Sequence, residues 1–228
     1  LIPPCAAHWF GTDDLGRDIF ARVVHGARLS LTISFSAVAL ALVVGGIIGL
    51  FAAYYGGLVD ELLMRLTDIF IAVPTTLMCI ILVAALGSSS LNLILALGLA
   101  SMPTFARVVR SAVLTVRDEE YITSARALGA RDSEIVTKHV LPNCMGPILV
   151  QTTLRIASAI YNTSALSFLG LGIAQPAPEW GGMLSAGRNY IRTASYISLI
   201  PGLAIMLTVL ALNLMGDGIR DAIDPKLK

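Results

Sequence analysis

Charge is scarce in this 228-residue chain. Only 14% of its residues are Asp, Glu, Lys or Arg, against about 25% in a soluble domain. Hydrophobic residues make up 56%, and the mean hydropathy is +0.78. This balance excludes an ordinary water-soluble globule. A net charge of +1 leaves no basic field to attract nucleic acid. Cysteine is equally sparse: Cys5, Cys79 and Cys144 are odd in number and scattered, so neither a disulfide framework nor a metal-ligand spacing follows. Histidine is limited to His8, His25 and His139. No H-E-x-x-H, G-x-S-x-G or G-x4-G-K-[ST] sequence occurs, so an intramembrane hydrolase and an ATPase are both unsupported.

Long apolar runs are what the chain does have. A bilayer-crossing helix needs about 20 mostly apolar residues, and five segments meet that need: 29–54, 69–86, 91–109, 143–169 and 193–216. The second has room to start near Leu62, with Arg65 and Asp68 three apart at the inner edge as a structural pair. Gly45, Gly46 and Gly49 place small residues where another helix can approach closely. Prolines 74, 103, 147 and 201 fall inside the spans and predict kinks rather than breaks. The fold class expected is an all-α membrane protein.

Lys and Arg set the orientation. With 117–143 in the cytoplasm, ten basic residues face inward: Arg65, Arg107, Arg110, Arg117, Arg126, Arg131, Lys138, Arg220, Lys226 and Lys228. Five lie outside: Arg17, Arg22, Arg28, Arg188 and Arg192. The chain then divides into an external segment 1–28, a transmembrane domain 29–216 with an external loop 170–192, and a cytoplasmic tail 217–228. An external start with neither Met nor a signal sequence predicts an earlier span ahead of Leu1.

The polar island 117–143 carries most of the information. Asp118, Glu119 and Glu120 suit a helix start, and Tyr121, Ile122, Ala125 and Leu128 recur at helical spacing as one apolar stripe. Gly129 stands where a left-handed cap favours glycine. Asp132-Ser133-Glu134 begin a second helix, Ile135, Val136, His139 and Val140 give its stripe, and Pro142 ends it. Two short helices with a sharp bend are expected, their stripes buried either on the spans or in a groove on a partner.

This island resembles the EAA loop of ABC-importer permeases, Glu-Ala-Ala-x3-Gly-x9-Ile-x-Leu-Pro. Gly129, Leu141 and Pro142 keep that spacing and Ala125 matches the second Ala. Thr123, Ser124 and His139 depart from it, leaving Glu119 or Glu120 to supply the acid. Other stretches, in order along the chain, narrow the resemblance to the second (C-type) permease subunit of dipeptide, oligopeptide and nickel importers. They are His8-Trp9-Phe10-Gly11-Thr12-Asp13, Gly26-Ala27-Arg28-Leu29-Ser30-Leu31, Ser167-Phe168-Leu169-Gly170-Leu171-Gly172, Glu179-Trp180-Gly181 and Gly216-Asp217-Gly218-Ile219-Arg220-Asp221 with Asp224-Pro225.

The resemblance implies a type I ABC-importer permease fold, with five transmembrane helices here and six in the full protein, in a bacterial cytoplasmic membrane. It implies a homologous sister permease, two cytoplasmic ATPase subunits that hold the ATP and magnesium, and an extracytoplasmic binding protein. No cofactor is expected on this chain. The coupling residues it points to are Glu119, Glu120, Tyr121, Ala125, Arg126, Leu128, Gly129, Leu141 and Pro142, with Tyr121, Ala125, Leu128 and Gly129 at the contact and Arg126 at its rim. Arg155, a charge about twelve residues into its span, and Asn162 two turns on are candidates for the substrate path. Trp9 and Trp180 are candidate membrane-surface anchors. Asp13, Asp14 and Asp18 lack the spacing of a calcium loop. Nickel is the alternative cargo, and an ion-coupled secondary transporter the competing mechanism.

Overall fold

The computed structural model describes residues 1–223, so Asp224, Pro225, Lys226 and Lys228 lie outside the described residues. The first helix, α1 (Ile19–Tyr55), starts ten residues ahead of the apolar run because Asp18 caps it, its carboxylate accepting the Ala21 N–H at 2.8 Å. Thirty-seven residues give α1 a length of about 55 Å, well beyond the about 30 Å of a hydrocarbon core. Its first turns therefore extend past the apolar run.

The second expected span is two helices, α2 (Gly57–Ile71) and α3 (Thr75–Leu86), bent by 84°. Pro74 is the N-cap of α3 rather than a kink inside one helix, so the expectation of a kink fails here. Pro cannot donate to the preceding turn and disfavours helical backbone in the residue before it. Pro103, Pro147 and Pro201 do lie within continuous helices: α4 (Ser90–Val116), α7 (Leu141–Phe168) and α9 (Tyr196–Ile223). Helices α1, α4 and α9 are each long and apolar enough to cross a membrane, and the bent α2–α3 pair makes a fourth crossing if it is one span. The fourth expected span, α7, has the length but carries Gln151, Thr152, Thr153, Arg155, Asn162 and Thr163, so its composition alone falls short.

The expected Arg65–Asp68 pair does not form. Arg65 reaches Glu61 at 3.6 Å, and Asp68 turns across to Arg107 on α4 at 2.7 Å. Asp60, also on α2, is gripped by both Nε and a terminal nitrogen of Arg110 at 2.6 Å each. Cross-helix pairing holds α2 against α4.

Helices α1 and α4 form the central pair. A Cβ at Gly45 or Gly49 would run into the carbonyl oxygens of Met102 or Ala106 on α4, so glycine sets their close approach. The core divides into successive clusters along the bundle. Ile33, Val83, Leu93 and Leu166 pack in one and Val38, Phe105, Ile156 and Ile160 in a second. Val109, Val113, Ile122, Ile135, Val140 and Ile148 pack beneath the α5–α6 region. Helix α9 lies along α7 and α8 (Trp180–Gly187) and leaves Leu203, Met206, Leu207, Leu210 and Leu214 exposed on one face.

The segment ahead of α1 and the stretch between α7 and α8 are clasped by polar contacts. Asp13 accepts the Arg17 guanidinium at 2.6 Å and the backbone N–H groups of Leu15 and Arg17, so its carboxylate organises a turn rather than a calcium loop. Glu179 is fully buried. It caps α8 through the N–H groups of Gly181 and Gly182 and receives the Ser30 hydroxyl from α1 at 3.3 Å. Trp180 is buried too, its indole N–H donating to the Val23 carbonyl at 2.9 Å. Trp180 is thus a core residue and not a membrane-surface anchor; Trp9 is exposed and packs on Phe20.

Candidate coupling site

The polar island folds as α5 (Glu120–Ala127) and α6 (Asp132–Ile135), with the bend where glycine was expected to make it. Gly129 has φ of +85°. Its N–H donates to the Arg126 carbonyl at 3.0 Å, and the Ala130 N–H to the Ala125 carbonyl at 3.1 Å, which is a Schellman termination. Glu119 is the N-cap of α5 but its side chain makes no capping bond.

Pro142 does not end the second helix. Asp132 to Phe168 runs through a widened turn at Val136–Val140 and on into α7. Pro142 has no N–H to offer the turn behind it, and its ring crowds the carbonyl four residues back. One extra residue in the turn relieves both problems. The Asn143 side-chain amide donates to the exposed His139 carbonyl at 2.6 Å. Helix α6 is therefore the leading end of a transmembrane helix rather than a separate short helix.

The apolar stripe of α5 splits. Ile122 is fully buried and Ala125 partly so, packed with Ile135, Val140, Val109 and Val113 where the end of α4 meets the start of α7. Burial on this scale contributes about 1.5–3 kcal/mol for a side chain such as Ile122. Tyr121 and Leu128 point away from that core, Leu128 being 88% exposed. Ala125 thus serves the inner packing and stands apart from the outward face where it was expected. Glu119, Glu120 and Thr123 are exposed, and Thr123, at the motif's acidic position, turns its hydroxyl back to the Glu120 carbonyl. Leu141 is half-buried and Pro142 exposed.

One feature was not legible in the sequence. Tyr54, at the end of α1, donates its phenol to Asp132 at 2.6 Å, and the Arg126 guanidinium lies 5.9 Å from its ring centroid. Arg117 also donates to the Ala53 carbonyl. The α5–α6 knob is tied to α1 as well as to α4 and α7. These partners are more than sixty residues apart, and no local pattern announces them.

Arg155 and Asn162 lie on one face of α7, seven residues apart, with Gln151 and Ser158 in the same row. Arg155 is half-buried, and among the described residues neither it nor Asn162 has an ion pair or side-chain hydrogen bond.

The chain is thus a bundle with membrane-length apolar helices and a bent, exposed knob at one end. Residues 45–228 match the family of binding-protein-dependent transport system inner membrane components, and the chain belongs to that family. It is 51% identical to the dipeptide transport system permease protein DppC of Alkalihalophilus pseudofirmus, over all of this chain and 75% of that protein. It is 48% identical to the di/tripeptide transport system permease protein DppC of Pseudomonas aeruginosa, over all of this chain and 77% of the other. The glutathione transport system permease protein GsiD of Pectobacterium atrosepticum is 45% identical over 99% of this chain and 75% of its own. In fold, the chain superposes on the inward-facing MetNI methionine ABC transporter with a TM-score of 0.72, over 90% of this chain and 98% of that one, at 20% identity. The type I permease fold and the inner-membrane, multi-pass setting follow.

Proposed function

We propose that this chain is a permease subunit of an ATP-driven importer of small peptides, driven through the α5–α6 knob. Relatives that carry dipeptides, di/tripeptides and glutathione in their names, at 45–51% identity over nearly the whole chain, favour peptides as cargo. The nickel alternative is not favoured: His8 is engaged with Asp18 at 2.7 Å and His25 with the Ala21 carbonyl at 2.8 Å. A binding protein would deliver the peptide outside. A sister permease would complete the path, and lipid would cover apolar faces such as that of α9. Two ATPase subunits in the cytoplasm, holding ATP and magnesium, would dock on the knob, with the C-terminus on the same side.

The observation that carries the coupling role is the divided face of α5. Ile122 and Ala125 are packed onto α4 and α7, while Tyr121, next to Ile122, and Leu128, three positions beyond Ala125, stand exposed. An apolar side chain as exposed as Leu128, at the tip of a rigid bent knob, fits an apolar groove on a partner. Because the inner face is packed, a partner that moves the tip moves the ends of α4 and α7 with it. Glu119, Glu120 and Arg126 then stand at the polar rim, and Gly129, Leu141 and Pro142 shape the knob.

Leu128→Glu tests this. The side chain buries nothing within the chain, so membrane insertion is expected to be intact. ATPase subunits are expected to co-purify about tenfold less well, the loss of a 1.4 kcal/mol contact, with transport abolished. Normal co-purification with normal transport would refute the docking role.

A further inference from the structure

The Ser167-Phe168-Leu169-Gly170-Leu171-Gly172 motif takes no part in the coupling site and lies at the opposite, outer end of α7. There it forms one wall of a cavity of about 530 Å³. Helix α8 supplies the facing wall, and Ser88, from the turn between α3 and α4, closes one side. The walls are made of small residues. Gly172 lies so close to Ser167 that a Cβ there would collide with it.

The charge on this cavity is of one sign. Arg188 lines it as the one charged residue, with Gln175, Asn189, Ser88 and Ser167 beside it. Among the described residues Arg188 has no carboxylate partner, and its guanidinium rests 5.7 Å from the Phe168 ring centroid. The nearby acid, Glu179, is spent on the N–H groups of Gly181 and Gly182 and on Ser30. Ser167 is only 4% exposed, yet its hydroxyl has no hydrogen-bond partner. That hydroxyl lies against Gly172 and is closed off from the open space, so it shapes the wall and leaves Arg188, Ser88 and Asn189 as the groups that reach a ligand.

We infer that this outer cavity is a carboxylate site, in which the exposed Arg188 makes the charge-assisted contact and the Ser88 and Asn189 side chains donate around it. Resting on the peptide-importer reading, the carboxylate has two sources: the free C-terminus of the arriving peptide, or an acidic side chain of the binding protein that presents it. The guanidinium fork suits either, since both are planar two-oxygen acceptors.

The test uses the complete transporter in proteoliposomes with its binding protein, comparing wild type, Arg188→Gln and Arg188→Lys. Two quantities are read: dipeptide uptake, and binding-protein-stimulated ATP hydrolysis without peptide. If the cargo supplies the carboxylate, Arg188→Gln lowers uptake about tenfold, the loss of one hydrogen bond to a charged group, and leaves stimulated hydrolysis unchanged. If the binding protein supplies it, both fall together. Arg188→Lys restores a substantial part in either case, because it keeps the positive charge. Wild-type values for both quantities in Arg188→Gln would overturn the site, as would a loss that Arg188→Lys does not relieve. Should wild type take up no dipeptide, the cargo reading fails by itself, and the hydrolysis measurement still reads the site through the binding protein.

Discussion

The phenol of Tyr54 donates to the Asp132 carboxylate at 2.6 Å, joining the C-terminal end of α1 to the first turn of α6 across 78 residues of sequence. This bond and the Arg126 contact on the same ring make the knob continuous with the central α1–α4 pair. Tyr54→Phe keeps the ring and removes the donor. The expected cost in stability is about 1 kcal/mol. The larger effect is expected in coupling, with fewer peptides moved per ATP hydrolysed while the ATPase subunits still bind. Simultaneous measurement of uptake and hydrolysis in proteoliposomes checks this, and an unchanged ratio would remove Tyr54 from the lever.

Gly129 bends the knob by conformation rather than by space. Its φ is +85°, and nothing lies within 4 Å of the place a Cβ would occupy. Residues are therefore expected to rank by their tolerance of left-handed backbone, not by size. Gly129→Asn should be nearly silent. Gly129→Val should cost about 1–2 kcal/mol in the knob and weaken ATPase co-purification. Equal behaviour of the two variants would contradict a conformational role.

These two residues also mark what was legible in sequence. Gly129 declared the bend because chirality restricts that backbone locally, and the apolar runs declared the spans because the bilayer demands length and composition. The Tyr54–Asp132 bond was hidden because nothing in either local sequence encodes a partner so far along the chain. Pro142 misled for a related reason: in water a proline ends a helix, whereas here a widened turn and the Asn143 amide absorb it. The stripe Tyr121, Ile122, Ala125 and Leu128 was visible as spacing. Which members face in and which face out depended on α4 and α7, and only the fold divides them.

Asp18 gives the capped start of α1 a pH dependence. Its carboxyl is held below the usual carboxylate range, chiefly by the Ala21 N–H at the start of α1 and next by His8. A depressed folded value means that the contribution is present above the unfolded value of about 3.9. It is lost as pH falls through the lower, folded value. The capped start of α1 is thus expected to be constant from pH 7 to about 5 and to loosen below about 4. Thermal melting of the detergent-solubilised protein across this range, with Asp18→Ala lacking the acid-dependent step, checks the assignment.

Arg155 sits half-buried in mid-span with no ion pair among the described residues, in a row with Gln151, Ser158 and Asn162 on α7. A charge held within a bilayer costs several kcal/mol unless water or a partner receives it. A row of polar side chains along one helix face is the arrangement that keeps water beside that charge. If the row lines the route of the peptide, Arg155→Gln should reduce uptake of acidic dipeptides about tenfold, on the scale of one hydrogen bond to a charge, with a smaller effect on neutral ones. The half-burial also permits a plain alternative, in which the guanidinium reaches out to the membrane surface along its own stem. In that case Arg155→Gln leaves uptake of both peptides at wild-type values. Comparing the two peptides in the same proteoliposomes separates the outcomes, because a general defect in folding or assembly would lower both alike.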